Sequence, residues 1–181
     1  KDAGEALALL QRALQVTPGH EGAVVMLGGM LREGAGGGTL AQAAEVLEGG
    51  LAANPASGGI MVCYASLLAA SGDTEGGIEM YEKGLANTHL REGTRYGDAL
   101  AAYAMLLDVR GGGASRESGE IYRQAAEADP TNVVALYNLG QYLQDRGGDP
   151  AGAEAYLYKA LALRPQDVSI LCSLAGLVDE S

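Results

Sequence analysis

Along the chain, apolar residues recur at helical spacing in segments of two alternating kinds. The first kind includes "VVMLGGML", "IMVCYASLL", "ALAAYAMLL" and "ALYNLGQYL", where apolar residues fall at i, i+3 and i+7 and a small residue at i+4. Val24, Leu27, Gly28 and Leu31 set the pattern, and Leu136, Leu139, Gly140 and Leu143 repeat it. This spacing puts the apolar side chains on one helical face and makes the small residue a notch that a neighbour can approach closely. The second kind includes "LLQRALQVTP", "VLEGGLAANP", "IYRQAAEADP" and "YLYKALALRP". Ala6, Leu10 and Ala13, like Ala153, Leu157 and Ala160, form its stripe, and Pro18, Pro55, Pro130 and Pro165 close it. A fifth segment, "MYEKGLANTH", ends in His89 instead.

The closing residues lie 37, 34, 41 and 35 positions apart (18→55, 55→89, 89→130, 130→165). That is an underlying period of about 34 with loop insertions, the signature of a repeat architecture. The expected organisation is a single array. A half repeat at 1–18 precedes repeats at 19–55, 56–89, 90–130 and 131–165, and a half repeat follows at 166–181, giving ten helices in all. The half repeats, and an opening Lys1 where Met would stand, lead us to expect a piece of a longer chain.

The stretch "ALYNLGQYLQDRGGDPAGAEAYLYKALALRP" resembles a tetratricopeptide repeat, a helix–turn–helix unit with Leu-Gly, then Tyr or Leu, later two Ala and a closing Pro. The resemblance extends over essentially the whole chain. Gly-rich variable loops are also similar to those of Sel1-like repeats, but the closing prolines favour the tetratricopeptide form. The resemblance implies an all-α, right-handed superhelical solenoid of antiparallel helix pairs, with first helices lining a concave groove. The implied groove residues are Val25, Gly29, Val62, Ser66, Ala101, Met105, Tyr137 and Gln141, with Cys172 and Gly176 at the end. They are small, apolar and uncharged.

Such a groove suits an apolar or helical protein segment. It does not suit the family's carboxylate clamp, which needs Lys, Arg and Asn from first helices. Here the first helices contain no Lys, and Arg32, Arg110 and Arg146 stand at their C-terminal ends, where the helix dipole accounts for them. Asn138 matches a helix-pairing position. The implied function is a non-catalytic scaffold that holds a partner segment or bridges subunits of an assembly. The alternative is a targeting or regulatory array of a larger enzyme, such as a glycosyltransferase or phosphatase, with its catalytic domain outside these residues.

Departures from the pattern locate expected weak points. Gly50, Gly77 and Gly84 stand where the family has Ala, each costing roughly 1 kcal/mol of helix propensity, so the second and third repeats should be softer. Residues 90–97, "LREGTRYG", read as an insertion and the expected irregular connection.

Composition narrows the partner class. The 181 residues are 48% hydrophobic and 19% charged, with 28 Gly, nine Tyr and neither Phe nor Trp, so thin helices pack closely around Ala and Leu. A net charge of −11 argues against nucleic acid and anionic membrane, and thus against an RNA-binding pentatricopeptide array. No apolar run reaches the ~18 residues of a membrane span. Cys63 and Cys172 lack metal-type spacing and suggest a reduced interior, hence an intracellular setting, cytoplasmic or organellar.

Candidate chemistry dissolves on inspection. His20 and His89 fall in or beside turns between repeats, with no triad or carboxylate–histidine motif around them. Glu75, Glu79 and Glu82 line one stripe, but Glu79 precedes Lys83 by four, the favourable helix-pair order. Tyr64, Tyr81, Tyr103 and Tyr122 occupy stripe positions, their hydroxyls expected at the surface or on a backbone group. The run Gly34-Ala35-Gly36-Gly37-Gly38 could cradle phosphate at a helix start. However, it follows a helix rather than a strand, lacks the P-loop lysine, and has Gly-bearing counterparts at 70–74, 110–115 and 146–151. It is expected to be an extended helix–helix turn, with Thr39 and Gln42 forming a capping box and Asp149-Pro150 opening the later helix. We therefore expect no catalytic residue, cofactor or metal.

Overall fold

A computed structural model describes residues 3–87 and 94–179. Among them are ten α-helices: α1 (Ala3–Val16), α2 (Glu21–Arg32), α3 (Leu40–Ala53), α4 (Gly58–Ser71), α5 (Thr74–Leu85), α6 (Thr94–Gly111), α7 (Arg116–Ala128), α8 (Val133–Tyr142), α9 (Pro150–Leu163) and α10 (Val168–Asp179). No strand occurs among the described residues. The helices fall into two compact units, Lys1–Leu90 and Arg91–Ser181.

Polar residues start the helices as their capping chemistry requires. Thr39 and Gln42 form a reciprocal capping box on α3, and Ser115 with Ser118 does the same on α7. Asp149 accepts from the Gly152 amide at 2.9 Å, with Pro150 in the first turn of α9. His20 caps α2 by accepting from the Ala23 N–H at 3.2 Å, which explains its place in a turn. His89 lies outside the described residues. The glycine run becomes a short 3₁₀ turn at Ala35–Gly37 between α2 and α3, with Gly34, Gly36 and Gly37 at φ of +79°, +62° and +79°. These angles are open to glycine at little cost, so the run is a turn element between two helices.

In the first unit α2 packs on α3 and α4 on α5, while α1 lies on α2. Val24, Leu27, Leu31, Ala43, Leu47, Ile60 and Leu67 form the core, supported by Leu7, Leu10 and Leu14 of α1. In the second unit α6 pairs with α7 and α8 with α9, and α10 lies on α9. Its fully buried residues include Ala104, Ala125, Leu139, Ala153, Leu157 and Ala160, each 0% exposed. The two stripes read from the sequence thus meet inside each hairpin. At the notches, a Cβ on Gly28 would lie 2.9 Å from Leu47 Cγ, and one on Gly140 would lie 2.8 Å from Leu157 Cγ. The absence of that carbon lets a leucine of the second helix sit against the backbone of the first.

Two expectations need correction. Gly50 and Gly84 are not merely weak helix formers. A Cβ at Gly50 would lie 2.5 Å from Val24 Cγ1, and one at Gly84 would lie 2.9 Å from Val62 Cγ2 and 3.1 Å from the Gly58 carbonyl oxygen. They are contact points where the paired helix leaves no room for a methyl. The irregular connection is also shorter at its C-terminal side than 90–97, because α6 begins at Thr94. Gly97 lies so close to α7 that a Cβ there would be 2.7 Å from Asp129 Cβ, so this segment is held as helix by packing. Residues 90–93 lie outside the described region.

Side-chain links join successive hairpins within a unit. In the first, Ser57 at the start of α4 donates to the Glu21 carboxylate on α2, and Asn54 Nδ2 donates to the Gly19 carbonyl at 3.3 Å. In the second, Asn132 at the start of α8 donates to Asp98 Oδ1 on α6 at 2.8 Å. The Ser57 and Asn132 links each tie the cap of one first helix to an acid on the preceding first helix.

Candidate protein-interaction surface

The surface of interest lies on the first helices, α2 and α4 in one unit and α6, α8 and α10 in the other. On α2, Val25 is half-buried, and its carbonyl accepts from the Cys63 thiol of α4 at 3.9 Å. One turn on, Gly29 faces open space, with nothing within 4 Å of where a Cβ would stand. On α4, Val62 and Ser66 are both half-buried. Val62 leans against Gly84 of α5, and the Ser66 hydroxyl donates to the Val62 carbonyl at 3.1 Å while lying 2.7 Å from the Tyr81 hydroxyl. The polar group of Ser66 is therefore engaged inside its own hairpin, leaving a smooth, low-relief face.

In the second unit the relief is greater. Met105 is 47% exposed on α6, and Tyr137 and Gln141 are half-buried on α8. Ala101, expected beside Met105, is only 2% exposed: the spacing places it on the right stripe, but its single methyl lies below the surface and offers a partner nothing. Two residues missed by the sequence reading extend the same faces. Val109 is 68% exposed and follows Met105 by four; Val134 is 38% exposed and precedes Tyr137 by three. Both spacings keep residues on one helical face, so continuing each stripe by one turn would have found them. On α10, Cys172 is exposed and Gly176 half-buried.

Electrostatics leave these faces without a free cationic anchor of the clamp type at two of the three arginines considered. Arg32 pairs with Glu33 at 3.6 Å and Arg110 with Glu117 at 3.8 Å, both exposed contacts of small energetic weight. Asp108 accepts from the Tyr122 hydroxyl at 2.9 Å, and its other carboxylate oxygen is buried without a partner among the described residues. Burial, reinforced by the Asp108 charge, pushes the Tyr122 phenol upward, so it stays protonated and keeps donating. Tyr122 thus satisfies its hydroxyl on a side chain of the first helix rather than at the surface or on backbone, which corrects the expectation for it, and the Tyr81 hydroxyl likewise meets the Ser66 side chain. Tyr64 bonds Glu48 at 2.7 Å, and that hydrogen bond raises it to about 12.

Glu79 forms its pair with Lys83 at 2.5 Å. Among the described residues no group of three or more His, Cys, Asp or Glu side chains converges on a metal-sized site, and no helix is long and apolar enough to cross a membrane.

Burial raises the Cys63 thiol, with Arg32 opposing only in part, whereas Cys172 is exposed. Thiolate, not thiol, is the reactive form. At pH 8 a thiol reagent should therefore label Cys172 faster than the half-buried Cys63, checked by mass spectrometry of the labelled peptides. Fast native labelling of Cys63 would show that α4 does not pack on α2 as described.

Tandem helix hairpins with small-residue notches and proline-closed second helices define a helical-repeat protein. Residues 121–155, from the middle of α7 into α9, match the family "Tetratricopeptide repeat". No curated protein sequence matches the chain. Among solved structures, PilF of Pseudomonas aeruginosa is similar at 23% identity, over 88% of this chain and 68% of that one, with a TM-score of 0.70. MamA is similar at 18% identity, covering 88% and 87%, with a TM-score of 0.65. YrrB, described as a TPR protein with an unusual peptide-binding site, is similar at 18% identity, covering 94% and 82%, with a TM-score of 0.64. At these identities the likeness establishes the fold alone.

Proposed function

We propose that the chain is a non-catalytic scaffold that captures an apolar or helical segment of a partner protein on its first-helix faces. The repeat boundaries 19–55, 56–89, 90–130 and 131–165 are part of that proposal, as is its place as a subunit of a larger complex. The observation carrying it is the apolar surface on two first helices of one unit, with Met105, Val109 and Val134 exposed and Tyr137 half-buried. Exposed apolar side chains grouped on neighbouring helices mark interaction surfaces more often than isolated ones do. Their uncharged character selects an apolar segment over a basic or acidic peptide.

The test is quantitative co-purification from the source cell with Met105→Glu and Tyr137→Glu variants. A carboxylate in the buried centre of an apolar contact loses more than it can recover from solvent. Each variant should lower partner recovery at least ~10-fold, equivalent to ~1.4 kcal/mol, with unchanged circular dichroism. A Gln124→Glu variant, altered on the exposed face of α7, should recover the partner normally. Equal recovery from all variants would place the contact elsewhere.

A further inference from the structure

The apolar face on α6 and α8 is bounded by acid at both ends. From 98 to 109 and from 133 to 145 the chain holds three aspartates, Asp98, Asp108 and Asp145, and no Glu, Lys, Arg or His. Asp98 is exposed and precedes Met105 by seven, two turns earlier on the same helical face. Its carboxylate accepts from Asn132, the cap of α8, so the starts of α6 and α8 lie side by side. Asp145 is exposed and follows Gln141 by four, in the wider turn Leu143–Gly147 that extends α8. Acid thus stands at both ends of the face, about three turns or roughly 16 Å apart along the helix direction.

Neither Asp98 nor Asp145 has an ion-pair partner among the described residues, although Arg95 and Arg146 lie near them in the chain. Asp108, between Met105 and Val109, is bonded to the neutral Tyr122 hydroxyl, which leaves its charge in place. Partial desolvation and the Asp129 charge push the Asp98 carboxyl upward, and a cation brought beside it would offset both. We propose that the partner segment is apolar at its centre and basic at both ends, with Lys or Arg set against Asp98 and Asp145. This rests on the apolar face being the contact and adds the charge of its occupant. Exposed ion pairs add little affinity each, but complementary ends set the register and reject a segment that ends in acid.

Fluorescence anisotropy on the 181-residue chain tests this with three synthetic peptides sharing one helix-forming Leu/Ala centre. They carry Lys, Gln or Glu at both ends, about eleven residues apart. The Lys-ended peptide should bind about 3–10-fold tighter than the Gln-ended one, and the Glu-ended one more weakly still. Asp98→Asn combined with Asp145→Asn should abolish the Lys advantage. Asparagine at 98 can still accept from Asn132, so helix content should hold. Asp145→Asn alone, at an exposed position, should remove about half of the advantage on a logarithmic scale. Glu127→Gln with Glu154→Gln takes the same charge from exposed positions on second helices and should leave the advantage unchanged. A Lys-ended peptide that does not bind, peptides that bind alike whatever their ends, or a Lys advantage that survives the double Asp variant would each overturn the proposal. In the last two cases the apolar contact itself stands if Met105→Glu weakens all three peptides. Binding that Met105→Glu leaves unmoved removes the apolar contact, and this inference with it.

Discussion

Replacing Leu139 by alanine is expected to destabilise the Arg91–Ser181 unit by about 2–5 kcal/mol, the range for a large-to-small change in a packed core. Leu139 is 0% exposed on α8, the helix that packs against both α7 and α9. Removing its isobutyl group takes away buried apolar area and leaves a cavity that these short helices can close only by shifting past one another. Stabilities of single domains are typically ~5–15 kcal/mol, so the loss is a large fraction of the total. Urea denaturation followed by circular dichroism reads the effect as a lower midpoint. Partner recovery by the folded fraction should be unaltered, since Leu139 has no exposed surface. A midpoint within ~0.5 kcal/mol of the original would mean that α8 does not pack as described.

Gly50→Ala is the second large effect, and its sign separates two physical accounts. Judged by helix propensity alone, the change should stabilise α3 by roughly 1 kcal/mol. The packing reverses this, because the new methyl would lie 2.5 Å from Val24 Cγ1 and 2.8 Å from Cγ2. Valine is stiff at χ1 and cannot swing aside cheaply, so the expected outcome is a net loss of about 1–3 kcal/mol from overpacking. Gly49→Ala, one residue earlier in the same helix, meets nothing within 4 Å and should gain about 0.4–1 kcal/mol. Combining Gly50→Ala with Val24→Ala should recover part of the loss, since the clash is removed from the other side. Equal gains at both glycines would show that α2 and α3 are further apart than the structure has them.

This pair of glycines also shows what was legible in the sequence. The spacing of Leu136, Leu139, Gly140 and Leu143 gave the hairpin and its notch, because a helical face is a property of one segment. Gly50 and Gly84 were read as propensity defects because their reason lies on another helix, Val24 for one and Val62 for the other. The same limit affects the candidate surface. Position along a stripe puts Met105 and Ala101 on one face but does not tell that Met105 is 47% exposed and Ala101 2%, since depth depends on the neighbouring side chains. Val109 and Val134 continue the two stripes by one turn toward the helix ends, where the repeat pattern itself marks no position. The start of α6 at Thr94 depends on Gly97 lying against α7, a contact with no local signal in "LREGTRYG". The glycine turn at 34–38, by contrast, was read correctly from its recurrence in equivalent turns.

The central claim is that a partner segment lies on the first-helix faces of the second unit. Site-specific photocrosslinking tests it most directly, with the reactive group placed in turn at Met105, Tyr137 and, as a control on a second helix, Gln124. The account predicts adducts to one partner protein from positions 105 and 137, mapping to a single apolar segment of it, and none from 124. Adducts from 124 with none from 105 or 137 would contradict it.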